Sequence, residues 1–268
     1  MLCSTSLCYR RLLFCGSDVF ELVDVSFSYN DRLALKSIDL LIESGESVSF
    51  LGANGCGKST LFKLLSGLIV ADYGTYSFDG SPVNTKTLAD TRFSKRLHQR
   101  VGFVFQNPDT QLFCASVYDE VAFGPRHMGL AEAEIEQRVS ETLVLLGLSG
   151  FENRIPYHLS GGEKRKVALA AVLAMNPDAL VLDEPMSGLD PRTMRWLAEF
   201  LVQLNSIGKT ILVSTHNLDL VQEISSRAVL FDEDHSLAAD MPSSDILADI
   251  DLLKRVNLVD QYYRNGDC

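Results

Sequence analysis

The sequence predicts an α/β protein built on a mostly parallel core sheet, with a helical insertion between its strands. Three observations predict it. A short apolar strand, Ser47 to Leu51, runs straight into a glycine-rich loop, Gly52 to Gly57, and then into a helix. A second apolar strand, Ala179 to Leu182, ends in the adjacent carboxylates Asp183 and Glu184. From Gly162 to Ser225 helical and strand patterns alternate, and alternation implies parallel strands joined by crossover helices.

The elements follow in chain order. Phe20, Leu22, Val23, Val25 and Phe27 alternate like a strand beginning at Val19, and Tyr29 to Arg32 forms a turn. Ala34 to Ile42 is a second strand, closed by a turn at Glu43 to Glu46. After the glycine-rich loop, Lys58 to Leu68 has helical spacing of Leu61, Leu64, Leu65 and Leu68. Val101 to Phe105 is a strand. Residues 110–160 differ in character. Leu130 to Leu148 is a helix with Ile135, Val139, Leu143 and Leu146 on one stripe, and Glu132, Glu134 and Glu136 stand near its start, where the helix dipole favours acids. Gly162 to Met175, Pro191 to Leu204 and Leu218 to Ser225 are helices, and Thr210 to Ser214 is a strand. Ser244 to Val256 forms one short helix with Ile246, Ile250 and Leu253 on a face. The expected division is an extension over 1–18, a main domain over 19–240 and a helical tail over 241–268.

Composition bounds the function. Hydrophobic residues make up 46% of the 268, enough for a packed core. The net charge of −11 argues against a nucleic-acid partner, which needs a basic footprint. The apolar stretch Val167 to Met175 is far shorter than the roughly 20 residues of a membrane-spanning helix. Any membrane role must come through a partner chain. Cys3, Cys8, Cys15, Cys56, Cys114 and Cys268 lack close metal-ligand pairing and are expected as reduced thiols. Arg10-Arg11 followed by Leu12 to Cys15 is too short an apolar run for a signal core.

Three motifs carry chemistry. Gly52-Ala53-Asn54-Gly55-Cys56-Gly57-Lys58-Ser59 fits G-x-x-x-x-G-K-[ST] in the strand-loop-helix context the motif requires. Its backbone N–H groups, with Thr60 just inside the helix, would surround phosphate oxygens, and the helix dipole would add to that field. Lys58 would reach the β/γ-phosphates and the Ser59 hydroxyl would ligate Mg²⁺. Asp183 would hold the Mg²⁺ shell, and Glu184 would polarise an attacking water as general base. Ser160-Gly161-Gly162, just before a helix, makes a second phosphate-binding end. It lies far along the chain from the first, so its natural use is in trans, with two chains trapping ATP between Gly52–Ser59 of one and Ser160–Gly162 of the other.

The order of phosphate loop, Gln106, Leu159-Ser160-Gly161-Gly162, Asp183-Glu184, Ser187-Gly188-Leu189-Asp190 and His216 resembles the nucleotide-binding domain of ABC ATPases over about residues 19–235. The resemblance implies the P-loop cassette fold, with an antiparallel N-terminal β-subdomain and a helical subdomain at about 110–160. It implies that Tyr29 stacks on adenine and that Gln106 joins Mg²⁺ and water to a transmembrane partner. It implies that Asp190 crosses a dimer interface and that His216 contacts the γ-phosphate. Glu163 departs from the commoner Gln. Cys56 places in the phosphate loop a thiol that oxidation would switch off. Asp232-Glu233-Asp234-His235 replaces a frequent glycine turn and is expected as a solvated turn rather than a metal site.

Phe105 to Phe113 and Val117 to Pro125 are similar to the segment after the Gln106 position in energy-coupling-factor ATPases for cobalt, nickel and some vitamins. This resemblance implies an importer ATPase on the cytoplasmic face of the membrane. Its partners would be a second ATPase subunit, a transmembrane coupling subunit and a membrane substrate-binding subunit. Homodimer and heterodimer both stay open, as does the cargo. The alternative is a soluble ABC ATPase, such as one in iron–sulfur cluster assembly. Repair and translation types are disfavoured, because no coiled-coil insertion and only one motif set occur. A non-hydrolysing regulatory subunit conflicts with the filled catalytic positions.

Overall fold

The structure is a computed structural model and describes residues 18–259. Most of the expected N-terminal extension, the end of the expected tail, and Cys3, Cys8, Cys15 and Cys268 lie outside the described residues. The strands are β1 (Asp18–Tyr29), β2 (Arg32–Glu43), β3 (Ser47–Leu51), β4 (Tyr73–Phe78), β5 (Ser81–Pro82), β6 (Val101–Val104), β7 (Ala179–Asp183), β8 (Thr210–Ser214), β9 (Arg227–Phe231) and β10 (Leu237–Pro242). The helices are α1 (Lys58–Leu65), α2 (Thr85–Ala89), α3 (Thr91–Arg100), α4 (Val117–Met128), α5 (Glu132–Leu145), α6 (Gly161–Leu173), α7 (Pro191–Ser206), α8 (Val221–Ile224), α9 (Ser243–Ala248) and α10 (Ile250–Arg255).

Two sheets form. The antiparallel sheet has the order β2-β1-β4-β5. Its first hairpin turns through Asn30 and Asp31, both at positive φ, a conformation their short polar side chains tolerate. The core sheet has the order β10-β9-β3-β8-β7-β6. Five of its strands run parallel and β10 adds antiparallel to the edge of β9. β3, β7, β8 and β9 are buried along their whole length. A parallel sheet covered on both faces demands that, so these strands show continuous apolar runs rather than alternation.

The parallel arrangement positions the chemistry. Phe50 is level with Ser214, Asp183 with the same Ser214, and Val104 with Leu182. The carboxyl ends of β3, β6, β7 and β8 therefore share one edge of the sheet. The loops leaving that edge are Gly52–Gly57, Gln106 onward, Glu184 onward and Thr215–His216. Such an edge is where open α/β sheets bind ligands. The insertion of α4 and α5 packs Val117, Val121, Ile135, Val139 and Leu143 against Val167 and Ala170 of α6, and this core continues into Leu180 and Leu182 of β7.

Several elements differ from expectation. β1 begins at Asp18, paired with Glu43. α1 stops at Leu65, because Gly67 at φ +69° turns the chain away, and Leu68 is 48% exposed. Residues 73–100 hold β4, β5, α2 and α3, which periodicity did not reveal. α3 buries only Leu97, so its sequence carries no apolar stripe. Leu218–Leu220 is a 3-10 turn before a four-residue α8. The expected single helix over Ser244–Val256 is two. Asp249 breaks it, ending α9 and accepting a hydrogen bond from the Leu252 N–H as cap of α10.

Candidate nucleotide site

β3 delivers the glycine-rich loop to the N-terminus of α1. Gly52 and Gly57 take φ of +145° and +119°. A Cβ at Gly57 would stand 2.5 Å from the Ala34 carbonyl oxygen, and one at Gly52 would stand 2.7 Å from Cys56 Sγ and 2.9 Å from Phe231 Cβ. Only glycine fits either position. Lys58 is buried, and its ammonium donates to the carbonyls of Gly52 at 2.6 Å and Ala53 at 3.0 Å. Asn54 and Gly55 are exposed at the loop tip, Ser59 is half-buried and Thr60 is buried inside the first turn.

Cys56 is 3% exposed, and burial pushes its thiol pKa up despite the nearby Lys58 ammonium. Because the thiolate is the form that oxidises, this environment opposes the oxidation expected from the sequence. The turn at Asp232–His235 is solvated at its acidic residues, with Asp234 paired to Lys36. Its His235 instead points Nδ1 at the Cys56 carbonyl, 3.3 Å away. Among the described residues no cluster of His, Cys, Asp and Glu could hold a metal by itself.

The carboxylates at the end of β7 are tied to β8. Ser214 Oγ donates to Asp183 Oδ1 at 2.7 Å and accepts from the Glu184 N–H at 2.8 Å. Glu184 Oε2 lies 2.9 Å from His216 Nδ1. Glu184 is 7% exposed and takes a φ of +45°, a costly conformation for a non-glycine residue that clusters at functional sites. Sequence reasoning named Asp183, Glu184 and His216 but missed Ser214. Its signal was a hydroxyl ending an otherwise apolar strand, level with the carboxylate.

The residues fit Mg²⁺. Asp183 and Ser59 supply hard oxygen donors, and the Ser214 hydrogen bond falls on Oδ1 of Asp183, leaving Oδ2 for a metal. The glycine cradle that a Cβ would fill fits a triphosphate in the same way.

The second candidate edge opens onto another cleft. Ser160, Gly161 and Gly162 at the start of α6 and Gly188 and Asp190 before α7 line one cavity of about 510 Å³, together with Lys166 and Thr193. Ser160 and Glu163 form a reciprocal cap. The Ser160 N–H and hydroxyl both donate to Glu163 Oε2, at 2.8 and 2.7 Å, and the hydroxyl accepts from the Glu163 N–H at 3.4 Å. These bonds hold the Glu163 carboxyl below its usual pKa. The Ser160 hydroxyl is therefore engaged within its own cap, and the first N–H groups of α6 beyond it are those of Gly161 and Gly162. Asp190 caps α7 by accepting from the N–H groups of Arg192 and Thr193 and from the Thr193 hydroxyl.

Tyr29 is 42% exposed at the end of β1, its ring edge-on to Phe27 at 4.8 Å. The Gln106 side chain is exposed, and the Gln106 backbone carbonyl accepts from Arg165, a residue that sequence reasoning passed over. Beyond Gln106 an apolar groove of about 400 Å³ opens, lined by Phe103, Phe105, Phe113, Phe123 and Met175 with Gln111. Phe113 is 67% exposed and packs edge-on against Phe123.

A glycine cradle at a helix terminus after β3, with a buried Asp-Glu pair at the end of β7 and only β8 between the two strands, defines a P-loop nucleotide hydrolase. The profile of the ABC transporter family matches residues 35–187. The chain belongs to that family, and it is an ATPase of the ABC class. It is 45% identical to a putative ABC transporter ATP-binding protein of Clostridium acetobutylicum, over 90% of this chain and 100% of that one. It is 44% identical to the nickel import ATP-binding protein LarO of Lactiplantibacillus plantarum, over 85% and 95% of the two chains. It is 42% identical to the energy-coupling factor transporter ATP-binding protein EcfA of Methanothermobacter thermautotrophicus, over 90% and 76%. Among solved structures, CbiO1 of Clostridium perfringens, part of the cbiONQ transporter complex, superposes with a TM-score of 0.77 at 34% identity, covering 90% and 95%. A dimeric cassette in a post-hydrolysis state with ADP and phosphate gives 0.75 at 28% identity, covering 84% and 98%.

Proposed function

We propose that this chain is the ATP-hydrolysing subunit of an energy-coupling-factor type importer, with a transition-metal ion or a vitamin as cargo. The observation that carries the transport reading is the exposed aromatic groove beside Gln106, in a chain with no helix among the described residues long and apolar enough to cross a membrane. Such a groove suits an apolar segment of a transmembrane partner. The relatives named as nickel and energy-coupling-factor ATPases support the same reading.

In this reading Tyr29 stacks on adenine, while Gly52 to Thr60 cradle the phosphates with Lys58 on the β/γ oxygens. Ser59, Asp183 and Gln106 would hold Mg²⁺, which supplies charge neutralisation for the triphosphate when bound. Glu184 takes the proton of the attacking water, and the hydrogen bond to His216 orients its carboxylate. Ser160, Gly161 and Gly162 of a second subunit close on the γ-phosphate, with Asp190 at the interface between subunits. Closure moves the segment seated in the groove. Hydrolysis releases the closed state, so energy passes as differential binding of two conformations.

The test is a pull-down of the chain from gently solubilised native membranes, with co-purifying chains identified by mass spectrometry. The expected result is a polytopic subunit together with a small membrane substrate-binding subunit, whose bound metal or vitamin identifies the cargo. Recovery of soluble partners alone overturns the importer reading.

A further inference from the structure

Arg165 is a charged side chain in an unusual place. It lies on the first turns of α6, two residues after the Ser160–Glu163 cap, and is 7% exposed. Among the described residues it forms no salt bridge, and its Nε has no hydrogen-bond partner. Burial presses the guanidinium below its usual pKa. Burying a cation without a carboxylate costs free energy that apolar packing at the same position would not. Stability alone therefore does not account for an arginine here.

Its partners are all backbone carbonyls of loops. Nη1 donates to Gln106 at 2.7 Å and, more weakly, to Phe105 at 3.4 Å. Nη2 donates to Ser187 at 3.1 Å. One rigid fork thus joins three segments: the loop leaving β6, the loop between β7 and α7, and the helix that carries Ser160 to Gly162. Planar, fixed donors suit such bridging, where a lysine would reach a single acceptor.

The loop leaving β6 is held to α6 at two further points. Gln111 accepts from the Phe105 N–H at 3.1 Å and donates to the Ala168 carbonyl at 3.0 Å, and Lys164 pairs with Asp109 at 2.7 Å. Phe105 and Gln111 also line the apolar groove. Hydrogen bonds thus run without a break from the groove residues Phe105 and Gln111 to α6 and, through Arg165, to the Ser187 end of the segment leading to Asp190.

We infer that Arg165 is a positioning residue that couples the groove and the Gln106 loop to the Ser187–Asp190 loop through a single buried guanidinium. This rests on the reading of those two loops as the sensors of nucleotide and partner. The hydrogen bonds of Arg165 go to Phe105, Gln106 and Ser187 rather than to the phosphate cradle or Glu184, so it acts on closure and turnover rather than on the first binding of ATP.

The experiment compares purified full-length chain with its Arg165→Met, Arg165→Lys and Gln111→Ala variants and the Gln111→Ala/Arg165→Met double variant. It measures ATP turnover, the Kd for a fluorescent ATP analogue and the thermal midpoint. Arg165→Met is expected to keep its Kd within about twofold of the parent and a midpoint no lower, since an uncompensated charge leaves the interior, while kcat falls at least about tenfold. Arg165→Lys is expected to stay within about threefold of the Met variant, because charge without the fork does not bridge. Gln111→Ala is expected to lower kcat several-fold in the parent and by less than about twofold in the Arg165→Met background, the non-additivity of a shared path. A kcat near the parent's in Arg165→Met overturns the inference, as do independent multiplying effects, a loss tracking a lowered midpoint, or full activity in Arg165→Lys. Gln106→Ala and Asp190→Ala, assayed alongside, report on the underlying reading separately. If they hydrolyse like the parent, the sensor roles fail whatever Arg165 does.

Discussion

The Gly52–His216 edge and the Ser160–Asp190 edge both present groups suited to phosphates, yet they are built differently. On the first, Lys58, Asp183 and Glu184 are buried, and hydrogen bonds link strand to strand through Ser214 and His216. On the second, Ser160 and Asp190 are exposed, and their side chains satisfy only the helix that follows each of them. Buried polar groups must find partners within the fold, so the first edge is assembled by the core sheet itself. Exposed caps need no such assembly and remain available to a surface that arrives from outside. Under the proposed function the first edge carries the chemistry and the second would complete the site of another subunit, and the contrast in burial supports that division.

The largest expected effect tests the first edge. Glu184→Gln should lower turnover by about 10²–10⁴-fold, the range of general-base catalysis, while ATP still binds; phosphate release and nucleotide binding measure the two separately. Ordinary turnover in that variant would move the base elsewhere. The next test strikes the second edge. A Cβ at Gly161 meets nothing within 4 Å, so Gly161→Asp should fold normally. Its carboxylate should repel the facing phosphates and lower turnover about a hundredfold, with ATP affinity of the dilute chain within twofold. Unchanged turnover would mean that the second edge meets no nucleotide.

Ser214→Ala separates assembly from chemistry. It removes the hydroxyl that bonds Asp183 and the Glu184 N–H, both buried, at a cost of about 1–3 kcal/mol in a denaturant titration, together with reduced turnover. Full stability in that variant would make the two edges alike after all. The smallest effect belongs to Glu163→Gln. A neutral amide can still accept from Ser160, so turnover should stay near the parent's and the midpoint at pH 7 within about 2 °C. The Glu163 carboxyl is held below its usual pKa in the fold, so its contribution is present above the unfolded pKa and is lost as pH falls through the lowered folded value. The midpoint difference between parent and Glu163→Gln should therefore shrink or reverse in acid. A difference constant with pH would remove the charge from the cap.

Four core strands, β3, β6, β7 and β8, were legible because each is a largely buried apolar run closed by a loop of distinctive chemistry, whereas β9 and β10 were not read as strands. Ser47–Leu51 and Thr210–Ser214 have the bounds that periodicity alone gives. α3 escaped notice because it buries one residue, and the tail helix broke where Asp249 could cap a new start. Ser214 and Arg165 were illegible for another reason. A serine ending a strand and an arginine in a basic helix are ordinary until burial and their partners are known. The acidic turn at Asp232–His235 was likewise read for its charges, and its inward histidine came to light only in three dimensions.

The sequence by itself determined the α/β class, the glycine cradle and the identity of the carboxylates, because backbone conformation and strand burial restrict residue type locally. Only the tertiary structure decided which residues meet. Parallel register brought Ser214 level with Asp183, and the packing of α6 put the Arg165 guanidinium between Gln106 and Ser187. Contacts between segments distant in the chain depend on the relative placement of whole elements, and no local pattern encodes that placement.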